Sequence, residues 1–377
     1  MTNRERVLSA IARKGYDRIP IKHEGTLEVN QMLIDHFGLS NIEQLLRVVG
    51  DDFRYVDPIY CGPELRKFPD GSVEGYWGER YKYAEFPGGK YLEASHLPFA
   101  GIETLDKLDR SHFPSADWFD YSTIKQQSQA LHDEFAVIFG TPGDLDFING
   151  ISRARGMEQV LLDLALDNPV YLEIMNARFN FYYNMHEKAL QAGEGLIDFT
   201  HTGEDLGNQK NQTISMKIFE KHFAPKYEKY FAMVHKYGAK AMHHMCGCVE
   251  AFLPRLIEVG LDILDVVQPT TPEMDVAFLR KKYGDKLILT GTMCVQTTLA
   301  FGTVDDVIGE TKRRLELFKD GGLFFGPTHA IQVGTPLENI LAMYKAAGSL
   351  IEKIDEKILS IKIDTGKGHE ISIAKCF

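Results

Sequence analysis

The chain reads as an α/β protein built as a closed (β/α)8 barrel of the TIM type, and three observations carry that expectation. From Leu105 onward, short apolar runs alternate with long helical patterns, the order of a sheet wrapped by helices. The apolar runs are continuous, as befits strands of a parallel sheet that are buried on both faces. With two further runs near the N-terminus there are about eight strand–helix units, the number that closes a barrel. A doubly wound sheet fits less well, because no G-x-G-x-x-G follows the first strand.

Taken in order, a first helix is expected over residues 5–12 with Asn3 as its cap. A strand over Asp17–Lys22 and the polar stretch His23–Thr26 follow it. Helices over Leu27–His36 and Asn41–Val49 precede a strand at Phe53–Val56, which ends in Asp57 and Pro58. Residues 60–98 are rich in Gly, Tyr, Pro and charge, with turn signals between short β-prone pieces such as Arg80–Glu85. They read as a β-hairpin region inserted into the barrel.

The remaining strands are expected at Phe135–Phe139, Gly195–Thr200, Ala239–His243, Ile263–Val267, Leu287–Leu289 and Leu323–Gly326. Helices between them are expected at Met157–Leu166, Pro169–Ala192, Ser215–Tyr237, Val249–Val259, Met274–Tyr283 and Val304–Phe318. Residues 358–377 alternate with period two around Gly366-Lys367-Gly368, which predicts a C-terminal β-hairpin tail on a single domain spanning 1–377.

Composition bounds the function. Of 377 residues, 44% are hydrophobic and 25% charged, the make-up of an ordinary globular protein. A net charge of -11 argues against nucleic-acid partners, which require clustered Lys and Arg. No signal peptide, lipidation motif or bilayer-length apolar run is visible, so the expected location is cytoplasmic, with no membrane partner. Five cysteines, at 61, 246, 248, 294 and 376, form no disulfide framework and are expected to be free thiols or metal ligands.

In a barrel the chemistry collects at the C-terminal strand ends. Those ends carry His23-Glu24, Asp57, Asp144 with Asp146, His201 with Glu204 and Asp205, His244-Met-Cys246, Gln268, Cys294, and finally Thr328-His329 with Gln332 nearby. His244 and Cys246 stand two apart, so on an extended strand they share a face, and imidazole and thiolate are preferred zinc ligands. By the same alternation His243 points outward into the scaffold. Cys248 falls after Gly247 and is expected to start the next helix. Asp57, Glu204 and Asp205 suit either helix capping or acid–base work.

Several motifs occur together in order: G-E-D-L-G-N-Q (Gly203–Gln209), H-M-C-G (His244–Gly247), D-I-L-D-V-V-Q-P (Asp262–Pro269), F-G-T-V-D-D-V (Phe301–Val307) and G-P-T-H-A-I-Q-V-G-T-P (Gly326–Pro336). With the opening T-N-R-E-R-V-L-S-A-I-A-R-K-G-Y-D-R-I-P, they resemble the uroporphyrinogen decarboxylase superfamily to about residue 350. The resemblance implies a (β/α)8 barrel and one of two chemistries, decarboxylation without a cofactor or methyl transfer linked to a corrinoid protein. The decarboxylase branch holds substrate carboxylates with an arginine-rich N-terminal loop, and the matching stretch here, Ile21–Leu27, has no arginine.

The methyltransferase branch is therefore the closer likeness. It implies a zinc site at His244, Cys246 and His329. From their places at or near the strand ends, Glu204, Asp205 and Asp57 are expected to be catalytic, and His23, Asp144, Gln268 and Gln332 to contact substrate; Asp57 also resembles the decarboxylases' essential aspartate in position. The likeness also implies a small methylated substrate, a corrinoid supplied by a partner protein, and a homodimer. This chain has no D-x-H-x-x-G corrinoid motif of its own. The alternative is a metal-free decarboxylase of a carboxylated substrate, a lyase relying on Asp57 with Arg153 and Arg155.

Overall fold

A computed structural model describes residues 1–361. Seven parallel strands form one sheet in chain order: Phe53–Val56, Ala136–Gly140, Phe199–Gly203, Lys240–His244, Ile263–Val267, Ile288–Met293 and Leu323–Pro327. The eighth position is filled by Ile21, which bridges in parallel to Asp51 on one side and Phe325 on the other. Lys22 N donates to Phe325 O at 3.0 Å, Phe325 N to Pro20 O at 2.7 Å, and Asp52 N to Ile21 O at 2.9 Å. The sheet is thus closed into a barrel.

The first strand is shorter than the expected Asp17–Lys22, and the cause is local. Ile21 N donates to the Asp52 side chain at 2.7 Å, not to a neighbouring strand's carbonyl, so the ladder stops there. Asp52 also receives Arg6 at 2.6 Å and Arg18 at 2.8 Å, and it is wholly buried. One carboxylate therefore ties the N-terminal helix, the first strand and the second strand together.

Helices match the expected spans closely. Met157–Leu166 coincides with its expected range, and Pro169–Gly193 overshoots by a residue. The first helix runs Asn3–Ile11 and is capped not by Asn3 but by Thr2, whose capping box with Glu5 satisfies both ends of the pair. Residues 215–237 bend through a π-turn at Phe219–Phe223. The segment after Cys248 opens with a 3-10 turn at Glu250–Phe252 before its helix, Leu253–Glu258.

The inserted region forms an antiparallel sheet of Val73–Glu74, Arg80–Phe86 and Gly89–His96. Its hairpin tip reaches the rim of the barrel, where Lys90 N donates to Glu28 at 3.3 Å and a Cβ on Gly88 would lie 2.7 Å from Val333. The expected C-terminal hairpin falls chiefly beyond residue 361, outside the described residues; its first residues, through Leu359, close a short helix, Glu356–Leu359. No helix among the described residues is long and apolar enough to cross a membrane.

Inward-facing residues along each strand follow period two, and their chemistry changes with height. The lower layer is apolar: Phe53, Ile138, Phe199, Met242, Ile263, Ile288 and Phe324 pack with Val7 and Ala10 of the first helix. Phe53, Phe199 and Phe324 meet with ring centroids 5.0–6.1 Å apart, contacts worth about 1 kcal/mol each beyond area burial. Two residues further along the strands come Tyr55, His201, His244, Asp265 and Thr290. The polar upper layer is the floor of the site.

Removing the carboxylate in Asp52→Ala would leave two guanidinium groups facing a void. Urea denaturation is expected to show a loss of about 3 kcal/mol or more.

Candidate functional site

Asp265 organises the floor. It is fully buried, and its Oδ2 accepts from His201 Nε2 at 3.0 Å and His244 Nδ1 at 3.1 Å. Its Oδ1 accepts from Thr290 and lies 3.2 Å from Lys22 Nζ, which is 3.6 Å from Glu24. Burial alone would raise the carboxyl's pKa, but Lys22 and His201 hold it well below the ordinary range.

The two histidines on this carboxylate differ. Burial lowers the pKa of His201 despite Asp265, so the ring is neutral, donating from Nε2 and accepting the Tyr55 hydroxyl at Nδ1, 3.0 Å away. Burial also opposes charge on His244, but hydrogen bonds to Asp265 and Cys246 outweigh it and hold the pKa well above the usual value. Because Nδ1 is committed to Asp265, the other ring nitrogen is the one left for a ligand. A carboxylate behind an imidazole is the arrangement that fixes a metal-binding histidine.

Cys246 sits where the chain leaves the strand. Gly247 follows with φ +85, and a Cβ there would meet Asn208 backbone atoms at 2.7–2.8 Å, so only glycine allows the two loops to pack this closely. Cys248 N then donates to Asn208 O at 2.9 Å. The loop carrying Asp205 is thereby pressed against Cys246, whose Sγ lies 3.4 Å from Asp205 Oδ1; Asn149 Nδ2 holds the other oxygen at 2.5 Å.

Ligand-type atoms of Asp205, His244 and Cys246 all lie within 4.8 Å of one another. Zinc bonds of about 2.3 Å to sulfur and about 2.1 Å to oxygen would set S and O about 3.5 Å apart around a tetrahedral ion. The observed Sγ–Oδ1 spacing of 3.4 Å fits that donor set. His329 stands outside this trio. Its ring is 5.8 Å, centroid to centroid, from that of His244, and it is exposed. Burial alone would raise the pKa of Glu24, but the neighbouring Lys22 ammonium outweighs it and holds the carboxyl below its ordinary range.

The cluster opens on a cavity of about 330 Å³ bounded by Cys246, Gln268, Gln209, Gln296, His329 and Gln332, among others. The remaining expected residues are each bonded to neighbours in the barrel. His23 donates to Asn30 and accepts from Tyr344, at 2.9 and 2.6 Å, which uses both ring nitrogens. Asp144 is bound by Thr141 and His186. Both oxygens of Glu204 accept backbone amides, Phe147 at 2.7 Å and Ile148 at 3.1 Å, so this buried carboxyl anchors a loop. Asp57 closes its strand through backbone bonds to Gln127.

His243 points outward between Tyr227 and Phe231, hydrogen-bonded to Thr202, and burial pushes its pKa down to about 3. Cys248 contacts Pro272 O and Cys294 approaches Thr270, both away from the trio. Arg155 is spent on Asp163 and Phe99 O in the core, so it is not a barrel-mouth cation. Arg153 acts electrostatically on Asp146 and Tyr81.

The floor residues Lys22, Asp265 and Thr290 are not among the site residues expected from sequence. Their signal was a lone polar residue inside an otherwise apolar strand, as in Ile263–Val267.

Fold and site together define a barrel protein with a polar floor and a thiol-bearing pocket at the C-terminal strand ends. The family model described as Uroporphyrinogen decarboxylase (URO-D) matches residues 99–350, two thirds of the chain, and the chain belongs to that family. Among solved structures it is similar to a methyltransferase from Methanosarcina mazei, with TM-score 0.64 and 15% identity over 92% of this chain and 98% of that one. A D-psicose 3-epimerase from Clostridium cellulolyticum H10 matches far more loosely, with TM-score 0.36 and 12% identity over 65% and 82% of the two chains. No curated protein sequence matches the chain.

Exposure sorts the thiols. Brief alkylation of the native protein with iodoacetamide, read by peptide mass spectrometry, is expected to modify Cys61 and Cys246 and to spare Cys248 and Cys294 until urea is added.

Proposed function

We propose that this protein is a methyltransferase that moves a methyl group between a small methylated substrate or thiol and a corrinoid carried by a separate protein, with zinc at the Asp205–His244–Cys246 cluster. The observation that carries the reading is the convergence of these three donors on one point beneath a cavity, with Asp265 orienting the histidine. The fold shared with the Methanosarcina mazei methyltransferase supports it. His329, which also lines the cavity, is the candidate for a further ligand or a substrate contact.

Zinc bound there would supply a Lewis acid that lowers the pKa of a bound thiol or polarises a leaving oxygen or nitrogen. The rest of the task falls to the chain. In methyl transfer the acceptor's lone pair forms the new bond to carbon as the old bond breaks, and the leaving group keeps both its electrons. Asp265 holds His244 in one tautomer, and Lys22 and Thr290 hold Asp265. Asp205 accepts the Cys246 thiol proton as a hydrogen bond when no metal competes for the sulfur. At about 330 Å³ the cavity suits a small substrate, so a corrinoid would approach from outside the mouth.

A metal-free decarboxylase finds less support, because Lys22 is committed to Asp265 and Glu24, and Arg155 to Asp163.

With free methylcobalamin and ethanethiol as probes, the zinc-loaded protein is expected to accelerate loss of the methyl–cobalt absorbance. Cys246→Ser should lower the rate about a hundredfold and remove stoichiometric zinc. A Cys246→Ser protein that is metal-free and fully active would sink the reading.

Competition with a chelator tests the orienting residue separately. Asp265→Asn is expected to weaken zinc about ten- to a hundredfold. Asp205→Asn and His329→Ala, compared in the same assay, decide which of them is the third ligand.

A further inference from the structure

The cavity over Cys246 has a second feature, a set of amide side chains wired to one another. Gln268 lies at its base and is only 4% exposed. The backbone amide of Gly247 donates to Gln268 Oε1 at 3.0 Å. A backbone N–H can only donate, so this contact settles which end of the Gln268 amide is oxygen. The NH2 end then donates both its hydrogens, to Gln209 Oε1 at 2.6 Å and to Gln296 Oε1 at 2.7 Å.

That wiring has a consequence for the ligand. With their carbonyl oxygens turned toward Gln268, Gln209 and Gln296 leave their NH2 groups as the ends available to a guest. Both line the cavity beside Cys246 and His329. Among the described residues that bound it there is no Lys, Arg, Asp or Glu. The ionisable cluster of Asp205, His244 and Cys246 lies beneath the cavity, and a guest bearing a full charge and held by the amides instead would lose its hydration without a counter-charge beside it. A neutral oxygen would gain donors already oriented for it.

We propose that this cavity selects a small, neutral, oxygen-bearing molecule, such as an ether or alcohol, held by the NH2 groups of Gln209 and Gln296, with Gln268 as the positioning residue that sets their polarity. The inference deepens the methyltransferase reading by naming its substrate class, and it rests on that reading only for the reaction. Binding is a property of the cavity alone.

Three probes of similar size separate the possibilities: 2-methoxyethanol, methoxyacetate and 2-methoxyethylamine, the last a cation at neutral pH. Ligand-observed NMR titrations on the full chain, with and without zinc and with no corrinoid present, rank their affinities. The neutral probe is expected to bind best. Gln209→Leu and Gln296→Leu should each weaken it about fivefold, the loss of one neutral hydrogen bond.

Gln268→Glu is the decisive variant. A carboxylate at that position can still accept from Gly247, but it can only accept from Gln209 and Gln296, so both amides turn over and present oxygen to the cavity. The order should then shift toward the ammonium probe. Tightest binding of methoxyacetate by the unsubstituted, zinc-free protein, no binding of 2-methoxyethanol, or an unchanged order in a folded Gln268→Glu protein would each overturn the proposal. If the neutral preference holds but methylcobalamin is never consumed, the methyltransferase reading fails and the cavity assignment stands. If methyl transfer occurs with the ranking reversed, only the cavity assignment fails.

Discussion

A single buried carboxylate, that of Asp265, governs the functional end of this barrel. An ionised group cannot remain in a dry interior unless its lone pairs are satisfied. Asp265 gathers His201, His244, Thr290 and Lys22 from four other positions around the sheet to do so. In satisfying itself it fixes the tautomer of His244, cancels the charge of Lys22 and sets the level at which the strands change from apolar to polar. The trio of Asp205, His244 and Cys246 stands on that foundation.

The lower barrel supplies rigidity for it. Phe53, Phe199 and Phe324 fill the interior at one level, and the N-terminal helix closes the bottom through Val7 and Ala10. Parallel strands in tight register carry that order upward: Gly203 and Asp265 both pair with His244. Gly203 has no side chain for good reason, since a Cβ there would lie 2.2 Å from Pro142 O. A donor set needs positions held to a few tenths of an ångström, and strand ends provide this better than free loops.

Much of this was legible beforehand, for physical reasons. The buried strands announce themselves as continuous apolar runs, and Phe53–Val56 and Ile263–Val267 were bounded to the residue. Period two assigned His244 and Cys246 to one face and His243 to the other, and the outward ring of His243 among Tyr227 and Phe231 agrees. Helix ends were less certain, because caps compete: Thr2, not Asn3, satisfies the first amides once Glu5 can complete the box. The first strand was read too long because Asp52 takes the amide proton of Ile21 that a neighbouring strand would have bonded.

By itself the sequence determined the alternation of strands and helices, the family motifs and the pairing of an imidazole with a thiol at one strand end. Those depend on spacing along the chain, which no packing can alter. Only the tertiary structure decided that Asp205 joins that pair in one cluster, that Glu204 accepts two backbone amides, that His23 bonds Asn30 and Tyr344, and that Gln268 bonds both Gln209 and Gln296. Each of these depends on how closely loops from different strands approach one another. That distance is set by Gly247 against Asn208 and by a carboxylate shared across the barrel, contacts between residues far apart in the chain.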